Sequence, residues 1–277
     1  MTRSLTVLIA LAGLAVPAGA VHANPRALPF TYTSDTLAAG HAELEQTVDL
    51  VPLRGLSPAN GEASYLASTF QTELEIGLTD RLELGLYLSL APTPNPSLIG
   101  EAAKLPGGTG LKQRLRYSLA PPGEWPIDVG LYGEIAETTF EIELEAKLLL
   151  QRRFGKLRVA ANLWAEYELY FERGQDGSHQ RDLVLHPTLG ATYEITPRLS
   201  VGVDSWVRGE YPTNPKPARR TFGLGPAAYV GPALMMSFGR VWWTVAAYGR
   251  VTDVNHDLVP GEPYGKLWAR TMIGYDL

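Results

Sequence analysis

The chain of 277 residues contains no cysteine. That excludes a disulfide framework and a thiolate metal site. Histidine is scarce, with five in all. No His-x-His pair is present among them, so no metal centre or cofactor site is expected. Basic residues are also short. Lys and Arg number 24 against 29 Asp and Glu, a net charge of −5. That sign argues against nucleic acid as a partner. Long apolar runs are missing beyond residue 23, because Glu, Arg, Gly or Thr interrupts every later stretch. A mature chain of this kind enters a membrane as strands, not helices.

What is present begins with a leader. Arg3 is followed by the apolar run Leu5 to Val16, and Pro17, Gly19 and Ala20 break it. Val21-His22-Ala23 then offers small residues at the cleavage spacing. Residues 1–23 are expected to be a secretory signal peptide. The run falls short of the about 20 apolar residues that a span needs. Loss of Arg3 leaves 23 basic against 29 acidic residues, or −6. The expected division is then a periplasmic N-terminal segment over 24–39 and a transmembrane barrel over 40–277.

The dominant pattern is period two. Leu82, Leu84, Leu86, Leu88 and Leu90 alternate with Glu83, Gly85, Tyr87 and Ser89. Before them Phe70, Thr72, Leu74, Ile76 and Leu78 alternate with Gln71, Glu73, Glu75 and Gly77. Strand side chains point alternately to two faces, so one face is apolar and the other is not. Similar stretches are expected near 41–51, 109–119, 126–136, 140–152, 156–171, 182–195, 199–210, 220–237, 241–252 and 265–277. The total is about twelve strands, an even number as single-chain bacterial barrels have.

Connectors alternate in length. Short ones lie at Thr79–Arg81, Ala120–Trp125, Phe154–Lys156, Thr196–Arg198 and Phe238–Arg240. Longer ones are read at 52–64, 92–108, 172–181, 211–219 and 253–264, with 137–140 the exception. Short periplasmic turns and long outer loops give this rhythm. Tyr65, Tyr117, Trp125, Tyr167, Tyr170, Tyr193, Trp206, Tyr211 and Trp268 sit near strand ends, as interfacial girdles would. A soluble sandwich or lipocalin-like barrel also alternates, but strands of 10–14 residues exceed the usual 5–6 of soluble sheets.

The last strand carries Leu267, Ala269, Thr271, Ile273, Tyr275 and Leu277 on one face. It resembles the terminal strand that outer-membrane insertion machinery reads, with Leu277 where Phe is usual. Tyr32 to Gly40, followed by Glu43 to Gln46, looks like the start of small porin-like families of unknown function. Glu73 to Leu84 is similar to hairpins common among them. From about residue 40 onward the chain resembles Gram-negative outer-membrane β-barrels. The resemblance implies an all-β, antiparallel up-and-down barrel in the outer membrane, with lipid and the insertion machinery as partners.

If the leucine face meets lipid, the other face lines the lumen, because Arg or Lys facing lipid costs about 2–4 kcal/mol near the midplane. The candidate lumen residues are Glu43, Glu45, Glu73, Glu75 and Glu83 on an acidic side, and Lys112, Arg114 and Arg116 as a basic ladder. Glu141, Glu143 and Glu145 follow on one face of a later strand. Two readings compete. The charges set a field across a water-filled pore that selects solutes, or they pair across neighbouring strands and plug a narrow barrel.

Enzyme chemistry has one candidate, His186, an inward-facing histidine beside Pro187 and four residues after Asp182. It needs a nucleophile within hydrogen-bond reach, and no motif of barrel lipases or proteases accompanies it. The expected function is porin-like passage of small solutes through a charged lumen. The alternatives are a non-conducting structural or interaction barrel working through its outer loops and, behind it, a barrel hydrolase.

Overall fold

A computed structural model describes residues 25–57, 61–92, 109–173, 177–213, 226–253, 257 and 264–277. The expected signal peptide over 1–23 and nearly all of the loop expected over 92–108 lie outside these residues.

Thirteen strands are formed among the described residues: β1 (Ala42–Ser57), β2 (Gly61–Thr79), β3 (Leu82–Leu90), β4 (Gly110–Ser118), β5 (Asp128–Thr138), β6 (Glu141–Phe154), β7 (Leu157–Arg173), β8 (His179–Leu185), β9 (Thr188–Thr196), β10 (Leu199–Pro212), β11 (Ala227–Phe238), β12 (Val241–Arg250) and β13 (Leu267–Asp276). Each pairs antiparallel with its neighbours, and β1 pairs with β13 from Glu43↔Asp276 to Leu50↔Ala269. That seam closes the sheet into a barrel with no open edge, the condition for a sheet surrounded by lipid.

The barrel has twelve staves, because β8 and β9 are two lengths of one. Both pair with β7 on one side and β10 on the other. The single strand expected over 182–195 is broken at His186 and Pro187. Proline has no N–H for the ladder. The flanking bonds carry the stave across the gap: His186 N donates to Trp164 O at 2.9 Å and Val207 N to Pro187 O at 3.0 Å.

A second difference lies at 52–64, read from sequence as a long loop. β1 and β2 stay paired from Ala42↔Ile76 out to Ser57↔Gly61. Pro52 and Gly55 punctuate this stretch, but a hairpin beyond the rest of the wall tolerates them.

The alternation has the expected sense. Leu44, Leu88, Leu115, Ile135, Leu163 and Leu189 stand on the outer face, each more than 40 % exposed. Between them Glu43, Glu75, Glu83, Arg114 and Asp204 point inward and are at most 1 % exposed. A belt of exposed leucines this continuous is foreign to a soluble monomer and fits a surface solvated by lipid.

Candidate functional site

The interior is filled from one end by the chain's own N-terminal segment. Residues 25–39, expected as a periplasmic tail, pack against the inner wall. At the end where the short turns lie, Gly40 N donates to Gly77 O at 2.9 Å and Ala39 N to the Asp80 side chain at 3.1 Å. Leu37 N donates to Glu83 Oε2 at 2.7 Å. Asp35 meets Arg153 at 2.8 Å, Arg158 at 3.1 Å and the Gln151 amide at 2.7 Å. Burial pushes the Asp35 carboxyl up, but Arg158 and Arg153 outweigh it and hold it below its ordinary value of 3.8.

Deeper in, side chains of the wall satisfy the backbone of this segment. Asn162 accepts from Tyr32 N at 2.8 Å and donates to Tyr32 O at 2.9 Å. Asp204 accepts from Phe30 N at 2.9 Å and from Thr31 Oγ1 at 2.6 Å. Buried backbone groups need such partners. Gly190 leaves the notch that Leu28 fills, since a Cβ there would stand 2.7 Å from Leu28 Cδ1. Arg26 ends the run 3.3 Å from Glu45 and 3.9 Å from Glu73.

Around this segment the wall charges are paired. Arg114 on β4 reaches across β3 to β2. Its Nε donates to Glu73 Oε1 at 2.7 Å, its Nη2 bonds Glu75, and its Nη1 stands 2.7 Å from Glu83. Gly85 is the crossing point, for a Cβ there would stand 2.6 Å from Arg114 Nε. Arg116 meets Glu83 at 2.6 Å. Thus the basic ladder and acidic side predicted from sequence meet directly. Lys112 lies apart from them, 3.2 Å from Glu134 and 3.5 Å from Glu143. Glu145 pairs with Lys147 at 2.7 Å. Glu141 is buried at the long-loop end of β6.

Two further ionic groups line the inner wall. Arg208 holds Glu166 and Glu168, each at 2.8 Å. Arg270 grips both oxygens of Asp49 at 2.7 Å, and the Trp268 indole N–H donates to Asp49 at 2.7 Å. An aromatic cluster lies beside them. Phe30, at the tip of the inserted segment, contacts Trp206, Tyr248 and Trp268 at ring distances of 4.7, 5.2 and 6.0 Å. The Trp and Tyr residues were read as membrane girdles, but Trp206, Trp268 and Tyr170 face inward and are buried.

Above Phe30 and Tyr32 a cavity of about 100 Å³ remains. Lys112, Lys147, Arg208 and Arg270 border it along with Glu134, Glu145 and Glu166. It is therefore ringed by both signs of charge and floored by aromatic rings.

His186 faces this cavity, stacked on Trp164 at 3.9 Å. Its ring nitrogens make no hydrogen bond among the described residues, and Glu166 stands 3.9 Å from Nδ1. No nucleophile meets it within hydrogen-bond reach there, as base-assisted attack requires.

A family model matches residues 20–253, described as a family of unknown function (DUF6662). The chain belongs to this family. The DUF6662 chain has no match among curated protein sequences. Its fold is shared with solved barrels. The COG4313 outer membrane channel from Pseudomonas putida F1 is 12% identical with a TM-score of 0.58, over 88% of this chain and 98% of that one. The NanC porin is 10% identical with a TM-score of 0.57, over 84% of this chain and 100% of that one. These likenesses speak for a porin-like fold in this DUF6662 member.

Proposed function

We propose that the protein sits in the outer membrane and passes small solutes through its lumen, with residues 25–39 as a built-in constriction. The reading is carried by the closed barrel that is apolar outside and ionised inside around a bordered cavity. Two barrels of like fold are an outer membrane channel and a porin, which supports the same direction. Solute enters from the long-loop end, meets the ring of Lys112, Lys147, Arg208 and their carboxylates, and stops at Phe30 and Tyr32 until the segment shifts. Carboxylates outnumber cations on the inner wall, so the selectivity is for cations. The candidate residues Glu43, Glu45, Glu73, Glu75, Glu83, Arg114 and Arg116 act here as the seat of the constriction. Lys112, Glu143 and Glu145 belong to the vestibule.

A second reading is favoured by the depth of that insertion: a non-conducting barrel whose segment never leaves and whose outer loops meet a partner. Single-channel recording of the refolded protein in a planar bilayer, with a salt-gradient reversal potential, separates the two. Steady cation-biased steps support passage. Silence from inserted protein, persisting after deletion of 25–39, rejects it in favour of the second reading.

A further inference from the structure

We propose that the rim at the short-turn end is a docking collar for the headgroups of anionic phospholipids of the phosphatidylglycerol type. This goes beyond solute passage. It needs the barrel to sit in a membrane and holds whether or not the barrel conducts.

The first observation is where the charge lies. The short turns and the strand ends beside them expose Arg81, Arg152, Arg153, Lys156, Arg198 and Arg240. Asp80, Glu124 and Glu194 are the exposed acids among the described residues there. Six cations thus face three carboxylates, in a chain whose net charge is −5. The cations are also spread around the bore. They occupy the β2–β3, β6–β7, β9–β10 and β11–β12 connections of a closed sheet. A lipid leaflet surrounds a barrel in the same way, whereas a single protein contact covers one sector.

The second is pairing. Inside the barrel, Arg26, Lys112, Arg114, Arg116, Arg208 and Arg270 each meet a carboxylate at 2.6–3.3 Å. Of the six rim cations only Arg153 does so among the described residues, through Asp35 at 2.8 Å. Three of the others are tethered instead to the backbone of an adjoining turn. Arg81 Nη1 donates to Leu119 O and Lys156 Nζ to Ile195 O, both at 3.3 Å, and Arg152 Nη1 donates to Pro126 O. A carbonyl holds a cation in place without neutralising it. The positive charge of this rim is therefore left for an anion from outside the chain.

The third is depth. Tyr117, Trp125, Phe154, Tyr193, Phe238 and Trp243 are exposed at this end. Rings of this kind settle at the headgroup level. The Arg81 guanidinium lies over the Tyr117 ring, 5.8 Å from its centroid, and that of Arg152 lies 5.1 Å from the centroid of Phe154. The guanidinia are thereby held at the level of the aromatic girdle, where lipid phosphates lie. Guanidinium matches a phosphate with two parallel N–H donors. A phosphatidylcholine phosphate is balanced by its own ammonium, but a phosphatidylglycerol phosphate is not, so the collar discriminates between them.

The test uses refolded full-length protein in bilayers of the two lipids, with folding checked by a heat-modifiable gel shift. Trp125 and Trp243 are exposed at this rim and report lipid contact through quenching by brominated phosphatidylcholine. Unbrominated phosphatidylglycerol is expected to relieve that quenching at least about threefold more effectively than unbrominated phosphatidylcholine, since each Lys or Arg near an anionic surface adds about fivefold at most. High salt should erase the difference. Arg81→Gln, Arg152→Gln, Arg198→Gln and Arg240→Gln together should bring the two lipids level. Equal relief by both lipids in the wild-type protein overturns the proposal. So does a preference that survives the four substitutions. A preference abolished by inorganic phosphate at matched ionic strength overturns it too, as the mark of a free-phosphate site. If the fourfold variant fails to fold, Arg198→Gln with Arg240→Gln takes its place, and an undiminished preference there has the same force.

Discussion

The two halves of the lumen are built on different plans. At the short-turn end, backbone from 25–39 and interlocked Glu and Arg side chains fill the space to near-complete burial. At the long-loop end, Lys112, Lys147 and Arg208 pair with carboxylates around a cavity of about 100 Å³. The same alternation of sequence produced both halves. What distinguishes them is an added piece of chain, not a different wall. On the proposed reading, the lower half governs whether anything passes, and the upper half governs what arrives.

The sharpest way to break that contrast is to remove the added piece. Deletion of 25–39 is expected to raise single-channel conductance severalfold, because the constriction and its aromatic tip leave together. A heat-modifiable gel shift confirms that the deleted barrel is folded. An unchanged conductance would mean that the wall alone sets the resistance. Arg114→Ala comes next. It leaves Glu73, Glu75 and Glu83 short of their shared cation, and breaking a buried pair in this way costs about 3–5 kcal/mol. Urea unfolding of vesicle-inserted protein measures it, and a loss under 1 kcal/mol would mean that water or ions already screen the cluster.

Asp204→Ala acts on one anchor of the segment. It strips acceptors from Phe30 N and Thr31 Oγ1, and unsatisfied buried donors cost about 1–3 kcal/mol. The expected sign is more frequent brief openings in the current trace, with the wall stable. The smallest effect is that of pH on Asp35. Its folded-state pKa lies below the free value, so its contact with Arg153 and Arg158 contributes fully above about pH 4 and is lost as pH falls through the depressed value. Openings should rise in that acid window and not in Asp35→Asn. A rise on the alkaline side would contradict the assignment.

The wall was legible in the sequence because its code is local. Period two, carried by Leu82 to Leu90 and its equivalents, assigns each residue to a face without reference to any other strand. Every candidate from Glu43 to Glu145 named from that code lies on the inner side. The interruption at Pro187 was missed: the residue has no N–H for the ladder, yet a single strand was expected over 182–195 where β8 and β9 form. The inserted segment was not legible. Arg26, Phe30 and Tyr32 owe their positions to Thr244, Asp204 and Asn162, and no spacing within 25–39 encodes that. The girdle reading of Trp206 and Trp268 failed for the same reason. An aromatic ring on a stave is read as interfacial until something in the lumen is known to stack on it.

The sequence separations of those contacts carry a consequence for how the molecule assembles. Phe30 bonds a residue 174 positions away, and Arg26 one 218 positions away. The first described part of the chain is thus among the last to find its partners, since β10, β12 and β13 must exist before it can dock. Loop-closure entropy makes such distant pairings slow. Refolding should then be biphasic, with the β1–β13 seam closing around an empty bore and a later step in which the chain swallows its own beginning.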